Sequence, residues 1–245
     1  MAYRFDEDLE FLKQCSSADL SELINLLIYD PKDGEKRLTE TLSISEEYKK
    51  YGQDYQKYYE RIAEELQLFG ANTIVSMFRG GGVYYREILC DVCDKLKVNY
   101  NKNSDIDIIE WNFLSKILET SLQNLNEEQK EELKKELADI GLNLGEITTG
   151  SIMAIFKLGG FKSYQVLLKV INFIWKIIFG HGLSLAGNVI VTRTASILTG
   201  PIGWALLTGW TIIDIASTAY RVTIPCCIVI SYLRIKVNME NLVEN

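Results

Sequence analysis

The chain reads as an all-α protein: a helical bundle in its N-terminal half, followed by apolar, glycine-containing helical hairpins. Three observations carry that expectation. Only three prolines occur in 245 residues, which leaves long stretches free to be helical. Apolar residues recur at three- and four-residue steps, the spacing of one helix face. No segment of the first half alternates apolar and polar residues as a half-buried strand does. With 47% hydrophobic and 24% charged residues, the chain can bury a core and does not read as disordered.

In chain order, Asp6 to Lys13 predicts a short helix with Leu9 and Leu12 inward. Ser16 and Asp19 form a capping box for a second helix striped by Leu20, Leu23, Ile24 and Leu27. Asp30-Pro31-Lys32-Asp33-Gly34 is a turn, with proline presetting φ and glycine tolerating φ > 0. From about Ser45 to Phe69 one long helix is expected. Its seam is Tyr48, Tyr51, Tyr55, Tyr58, Ile62, Leu66 and Phe69, and Gly70 is its C-terminal cap. A short helix from Ala71 to Phe78 ends at Arg79-Gly80-Gly81-Gly82, and a helix from Val83 to Val98 resumes with Tyr84, Tyr85, Ile88, Leu89, Val92 and Leu96 inward. Ile108 to Leu122 is amphipathic. Asn126 and Gln129 then cap a charged helix striped by Leu133, Leu137, Ile140 and Leu144.

The character changes between Gly141 and Gly150, so residues 1–145 are expected as an acidic soluble helical domain and 146–245 as an apolar helical region. From Ile147 onward there are eight basic and three acidic residues, a net +5; the rest carries −12 of the total −7. An acidic half repels nucleic acid, whereas the cationic half suits an anionic surface. Phe161 to Phe179 places Lys162, Lys169 and Lys176 on one stripe, opposite a broad apolar face that includes Trp175. That is the pattern of an interfacial helix, with the core helix of a soluble bundle bearing one solvated stripe as the alternative. Thr194 to Ile213 carries no charge over 20 residues, on the order of 30 Å if helical. Gly200-Pro201 interrupts it, so a hairpin is expected rather than one spanning helix, with Trp204 and Trp210 as membrane-facing candidates beside Lys162, Lys169, Lys176 and Trp175. Val222 to Leu233 is a second apolar run, open to an embedded hairpin, an interfacial mat or a buried core.

Motifs that could carry chemistry are sparse. His181, between Gly180 and Gly182, is the single histidine; multi-histidine metal sites are excluded, and a turn position beside a helix end is the ordinary reading. Cys90-Asp91-Val92-Cys93 lies within a predicted helix with no second pair, and Cys226-Cys227 follows a proline in an apolar run. Both read as packed thiols. Five cysteines, an odd number in a large, core-forming chain, point to a reducing compartment, and the charged N-terminus is unlike a secretory signal. Arg79, Gly80, Gly81, Gly82 and Arg86 could present backbone N–H groups and guanidinium to an anion. The stretch lacks the Lys-Ser/Thr of a P-loop, and a tight interhelical turn competes with that reading. No cofactor and no metal site are expected.

Several segments together resemble the bacterial YaaW family. They are Asp6 to Leu12, Ile62 to Gly70, Arg79-Gly80, Tyr85 to Val92, Gly200 to Ala205, Ala219 to Pro225 and Tyr232-Leu233-Arg234. The resemblance implies a cytosolic bacterial protein of uncharacterised function, sometimes classed beside ubiquinol–cytochrome c chaperones, and supplies no catalytic or binding residues. The expectation is a non-enzymatic, membrane-associated helical protein with a cytosolic partner-binding module. Its partners would be membrane lipid or an apolar protein client, with no nucleic acid and with oligomerisation open. The alternatives are a soluble chaperone or assembly factor and a membrane-permeabilising helical protein.

Overall fold

A computed structural model describes residues 3–31, 34–71, 82–183 and 219–244 of the chain, with residues 242–244 described by backbone only. A 3-10 helix, Glu7–Gln14, precedes α1 (Ser17–Ile28), α2 (Glu46–Tyr51), α3 (Tyr59–Ala71), α4 (Tyr85–Lys95), α5 (Ile106–Gln123), α6 (Glu127–Ala138), α7 (Thr149–Leu158), α8 (Gly160–Phe179) and α9 (Tyr220–Glu244). Among the described residues the only β pairing is an isolated antiparallel bridge between Tyr29 and Lys36. The fold is all-α.

Local signals explain most element ends. Ser16 and Asp19 form the reciprocal capping box of α1, as do Asn126 and Gln129 at α6. Thr148 and Ser151 do the same at α7, a helix the sequence reading passed over in the transition after Gly141. Gly34 closes the Asp30 turn at φ +72°, its N–H donating to the Asp30 carbonyl at 2.8 Å. The first element is a 3-10 helix rather than an α-helix, yet Leu9 and Leu12 are fully buried as its spacing requires.

The long helix expected from Ser45 to Phe69 is broken. α2 stops at Gly52, whose φ of +55° leaves the helical region, and the 3-10 turn Tyr55–Tyr58 leads into α3. The tyrosine seam survives as a knot: the Tyr58 ring meets those of Tyr48, Tyr51 and Tyr55 at 6.1–6.4 Å, and its hydroxyl donates to the Gly52 carbonyl at 2.6 Å. Gly70 does not cap α3. It lies buried inside the helix, where a Cβ would stand 2.4 Å from Ile88 Cγ1 of α4 and 2.8 Å from Val83 Cγ2. Its smallness permits close approach of α3 and α4. Tyr84, expected inward, is 36% exposed, because α4 begins one residue later and the ring packs beneath the Arg4 guanidinium at 3.6 Å. Ile140 and Leu144, expected on the stripe of α6, follow its end at Ala138.

α9 is the axis of the molecule. It packs against α1, α3, α4, α5, α8 and the 3-10 helix. Val222, Ile224, Cys226, Cys227, Ile230 and Ser231 are all fully buried. Of the three readings open for Val222–Leu233, the structure selects the buried core. Among the described residues α9 alone has the length and apolarity to cross a membrane, and 78% of its most apolar window is covered by protein. The compositional change near residue 145 is therefore not a packing boundary, since the last helix of the apolar region runs through the helices of the acidic one. Gly70→Ala should destabilise the protein by about 1–3 kcal/mol, the cost of overpacking a tight helix contact. Urea unfolding followed by far-UV circular dichroism checks this, and an unchanged midpoint would refute the close approach.

Candidate functional site

A buried polar constellation joins the 3-10 helix, α4, α5 and α9. On α5, Glu110 shares the stripe of Phe113, Leu114 and Ile117, so its carboxylate is directed inward and is 2% exposed. A buried carboxylate needs partners. The Tyr85 hydroxyl donates to Oε1 at 2.8 Å, and Arg234 Nε donates to Oε2 at 2.7 Å. Arg234 is flanked by Leu233 and Ile235 on α9; it also donates to the Asp8 carbonyl and lies 4.1 Å above the Phe11 ring. Asp6 accepts the Tyr85 N–H at 2.6 Å and so caps α4 from a distant part of the chain, while its other oxygen accepts the Asp8 N–H at 3.1 Å. Burial raises the Glu110 carboxyl against the opposing pull of Arg234 and Tyr85; burial and the Glu110 charge push Tyr85 well above its ordinary value. Burial likewise raises Asp6.

Beside this constellation opens a cleft of about 210 Å³ between α5, α8 and α9, lined by Asp107, Glu110, Trp111, Tyr164, Arg234 and Asn238. Trp111 and Tyr164 stand edge to face, with ring centroids 6.4 Å apart. Such a cleft is smaller than a drug-sized site. The sequence reading did not single it out. Its signal was available: Glu110 and Arg234 are charges on otherwise apolar helix faces, and such charges are expected to pair.

The residues singled out from the sequence lie elsewhere. Arg79, Gly80 and Gly81 fall outside the described residues. Gly82 is pressed against α3, where a Cβ would stand 2.5 Å from that of Gln67, and its carbonyl accepts from Arg4. Arg86 is engaged by Asp8 at 3.3 Å and by the Ser104 carbonyl at 2.6 Å. The described members of the proposed anion site are thus held by protein groups.

Trp175 is not membrane-facing. It is 1% exposed, packs on Phe179 at 4.1 Å, and lies among Leu114, Ile117, Leu118 and Ile228 of α5 and α9. The apolar face of α8 is a bundle face. Its lysine stripe meets α6 and the loop after it: Lys176 pairs with Glu132 at 2.8 Å and approaches Glu136 at 3.8 Å, and Lys162 donates to the Ile140 carbonyl. Lys169, between them on the stripe, is half-buried. For Lys176 the acidic helix α6 thus supplies the counter-charge that an anionic surface was expected to supply. Trp204 and Trp210 fall outside the described residues, as does the expected hairpin around Gly200-Pro201.

His181 follows the end of α8, where its Nε2 lies 3.2 Å from Glu22 Oε2 and its Nδ1 lies 3.0 Å from the Phe179 carbonyl. It is a turn residue, and also a clamp from α8 to α1. The hydrogen bond to Glu22 raises its pKa above 6.5. Among the cysteines, burial pushes Cys15 and Cys226 up to about 12 and raises Cys90, Cys93 and Cys227. These are thiols rather than reactive thiolates. No group of metal-ligating residues gathers among the described residues.

These features define an all-α bundle organised around one buried helix, with a charged cleft at one end. Residues 3–38 match a family model described as a domain of unknown function, DUF3944. That segment contains Asp6, Asp8, Phe11, Asp19 and Glu22, the groups by which the N-terminus holds α4, α8 and α9. Over nearly the whole chain there are curated relatives. A UPF0174 protein of Helicobacter pylori strain J99 is 54% identical over 98% of this chain and 96% of its own length. Another from the same strain is 42% identical over 83% of this chain and the whole of its own. The UPF0174 protein YaaW of Escherichia coli K12 is 30% identical over 95% of both. The chain belongs to the UPF0174 family, which bears out the resemblance to YaaW. No solved structure matches it significantly.

Arg234→Met, which strands the Glu110 carboxylate, should cost about 3–5 kcal/mol, and adding Glu110→Gln should recover much of that. Urea midpoints at neutral pH for the single and double variants check the coupling. The His181 pKa is raised in the fold, so its contribution is full below the unfolded value near 6.5 and is lost as pH rises through the folded value. His181→Gln should therefore flatten the fall of the urea midpoint on raising pH above 6.5; identical slopes for both proteins would show that the clamp does not titrate.

Proposed function

We propose that the protein is a non-enzymatic, membrane-associated helical protein at the inner face of the bacterial membrane, with its acidic bundle as a cytosolic, partner-facing module. One observation carries this reading: where the chain leaves the bundle and where it returns. His181, just past α8, is tied to Glu22, and the last turn of α8 meets α9 where Ile178 and Ile228, two residues past Cys226, line one space. Cys226 is about 9 Å along α9 from Tyr220, where the described chain resumes as helix. Tyr220 itself packs beneath Lys95 at the end of α4. Exit and return therefore share one end of the bundle. The sequence between them includes the uncharged stretch Thr194–Ile213.

The non-enzymatic part of the proposal rests on commitment of the reactive groups. The lone histidine is bound to Glu22, the thiols are raised by burial, and the buried carboxylate is closed by Tyr85 and Arg234. A second reading, a soluble chaperone or assembly factor for an apolar client, draws on the burial of α8 and α9 inside protein. In that case the uncharged stretch would meet a client rather than lipid.

Vesicle co-sedimentation separates the two. The full chain should pellet with phospholipid vesicles, and Leu198→Asp with Leu207→Asp should release it, because each charge at the centre of an apolar segment costs about 2.5–3.5 kcal/mol on insertion scales. Dye release from the same vesicles would mark a permeabilising variant of membrane association. A monodisperse monomer that ignores both anionic and neutral vesicles would overturn the proposal.

A further inference from the structure

The cleft between α5, α8 and α9 has a composition of its own. Its floor is electrically closed: both Glu110 oxygens are taken, by the Tyr85 hydroxyl and Arg234 Nε, and the Arg234 guanidinium is further held by the Asp8 carbonyl and the Phe11 ring. The pair contributes no net charge to an incoming ligand. What remains is the carboxylate of Asp107, exposed on the first turn of α5, and two aromatic rings. The Trp111 and Tyr164 rings both line the cleft and stand edge to face at 85°. Aromatic faces attract cations through their quadrupole, and most strongly organic ammonium groups, which lose less hydration than a metal ion. A carboxylate at the rim supplies the matching charge. Asn238 adds a neutral polar group that can bond a hydroxyl or amine.

The geometry points to this cleft as a binding site for a small organic ammonium ion, with Trp111 and Tyr164 as its aromatic walls and Asp107 as its counter-ion. At about 210 Å³ the space suits a molecule smaller than a drug-sized ligand. Tyr164 and Phe179 lie about 22 Å apart along α8, so the cleft opens at the end of the bundle opposite the exit and return of residues 184–218. If that stretch meets lipid, the ligand reaches the cleft from solution. The site itself does not depend on the membrane reading.

Titration calorimetry on the full chain tests the assignment with choline, tetramethylammonium and dimethylbutanol, the neutral carbon isostere of choline. The two cations should bind with dissociation constants on the order of 1 mM or below, and the neutral isostere about tenfold more weakly. Asp107→Asn should weaken choline about tenfold without moving the urea midpoint, since its described hydrogen bond is to the N–H of its neighbour Ile108. Trp111→Leu should abolish binding and Trp111→Phe should retain part of it. Absence of heat with both cations, equal binding of the isostere, or indifference to both Asp107→Asn and Trp111→Leu would overturn the site. The same ammonium group occurs on lipid, so phosphatidylcholine vesicles form a separate arm: binding to vesicles with none to free choline would also overturn it.

Discussion

A helix of 25 residues without a continuous polar stripe must be surrounded, and the architecture follows from surrounding α9. Leaving such a helix in water would expose many Val, Ile and Leu side chains, each worth about 1.5–3 kcal/mol on full burial. Short amphipathic helices each cover part of it: α1 on one side, α5 and α8 on another, and α3, α4 and the 3-10 helix over the rest. Because α9 closes the described chain, helices made from the first half complete their core only when the last segment is in place. The acidic and apolar halves are one folding problem.

Charges along α9 set how the surrounding helices are seated. Arg234 engages Glu110 of α5 and the backbone of Asp8, and two residues on Lys236 pairs with Asp19 of α1. A buried ion pair adds little net stability over apolar residues of the same shape, but a misplaced helix would leave one charge stranded. Apolar contacts tolerate sliding, whereas these pairs do not. Asp6 performs the same service for α4, whose first N–H, that of Tyr85, it accepts from across the chain. The segment from Asp6 to Glu22 is thereby a hub for α4, α8 and α9.

The bundle has two unlike ends. At one, α8 ends in the His181 clamp and α9 begins against Lys95. At the other, the first turn of α5, the start of α8 and the late part of α9 form the aromatic and acidic cleft. The histidine, the thiols and the buried carboxylate among the described residues are held in the scaffold.

Helix content, capping boxes and much of the core were legible in the residues themselves, because each depends on spacing along one helix: Ser16 with Asp19, Asn126 with Gln129, and the buried stripes of α1, α4 and α5. What misled was a pattern with two tertiary solutions. A lysine stripe beside an apolar face suits a bilayer or a neighbouring acidic helix, and only the position of α6 decides for Glu132 and Glu136. Gly70 could end a helix or admit one, and only the approach of Ile88 decides. The cleft was hidden for the same reason, since Trp111, Tyr164 and Arg234 are far apart in sequence and meet through packing. The sequence by itself determined the all-α class, the capped helix starts and most of the inward stripes, through periodicity and local hydrogen bonding. Only the tertiary structure decided which surfaces and charges face one another, because that depends on how helices distant in the chain share the burial of α9.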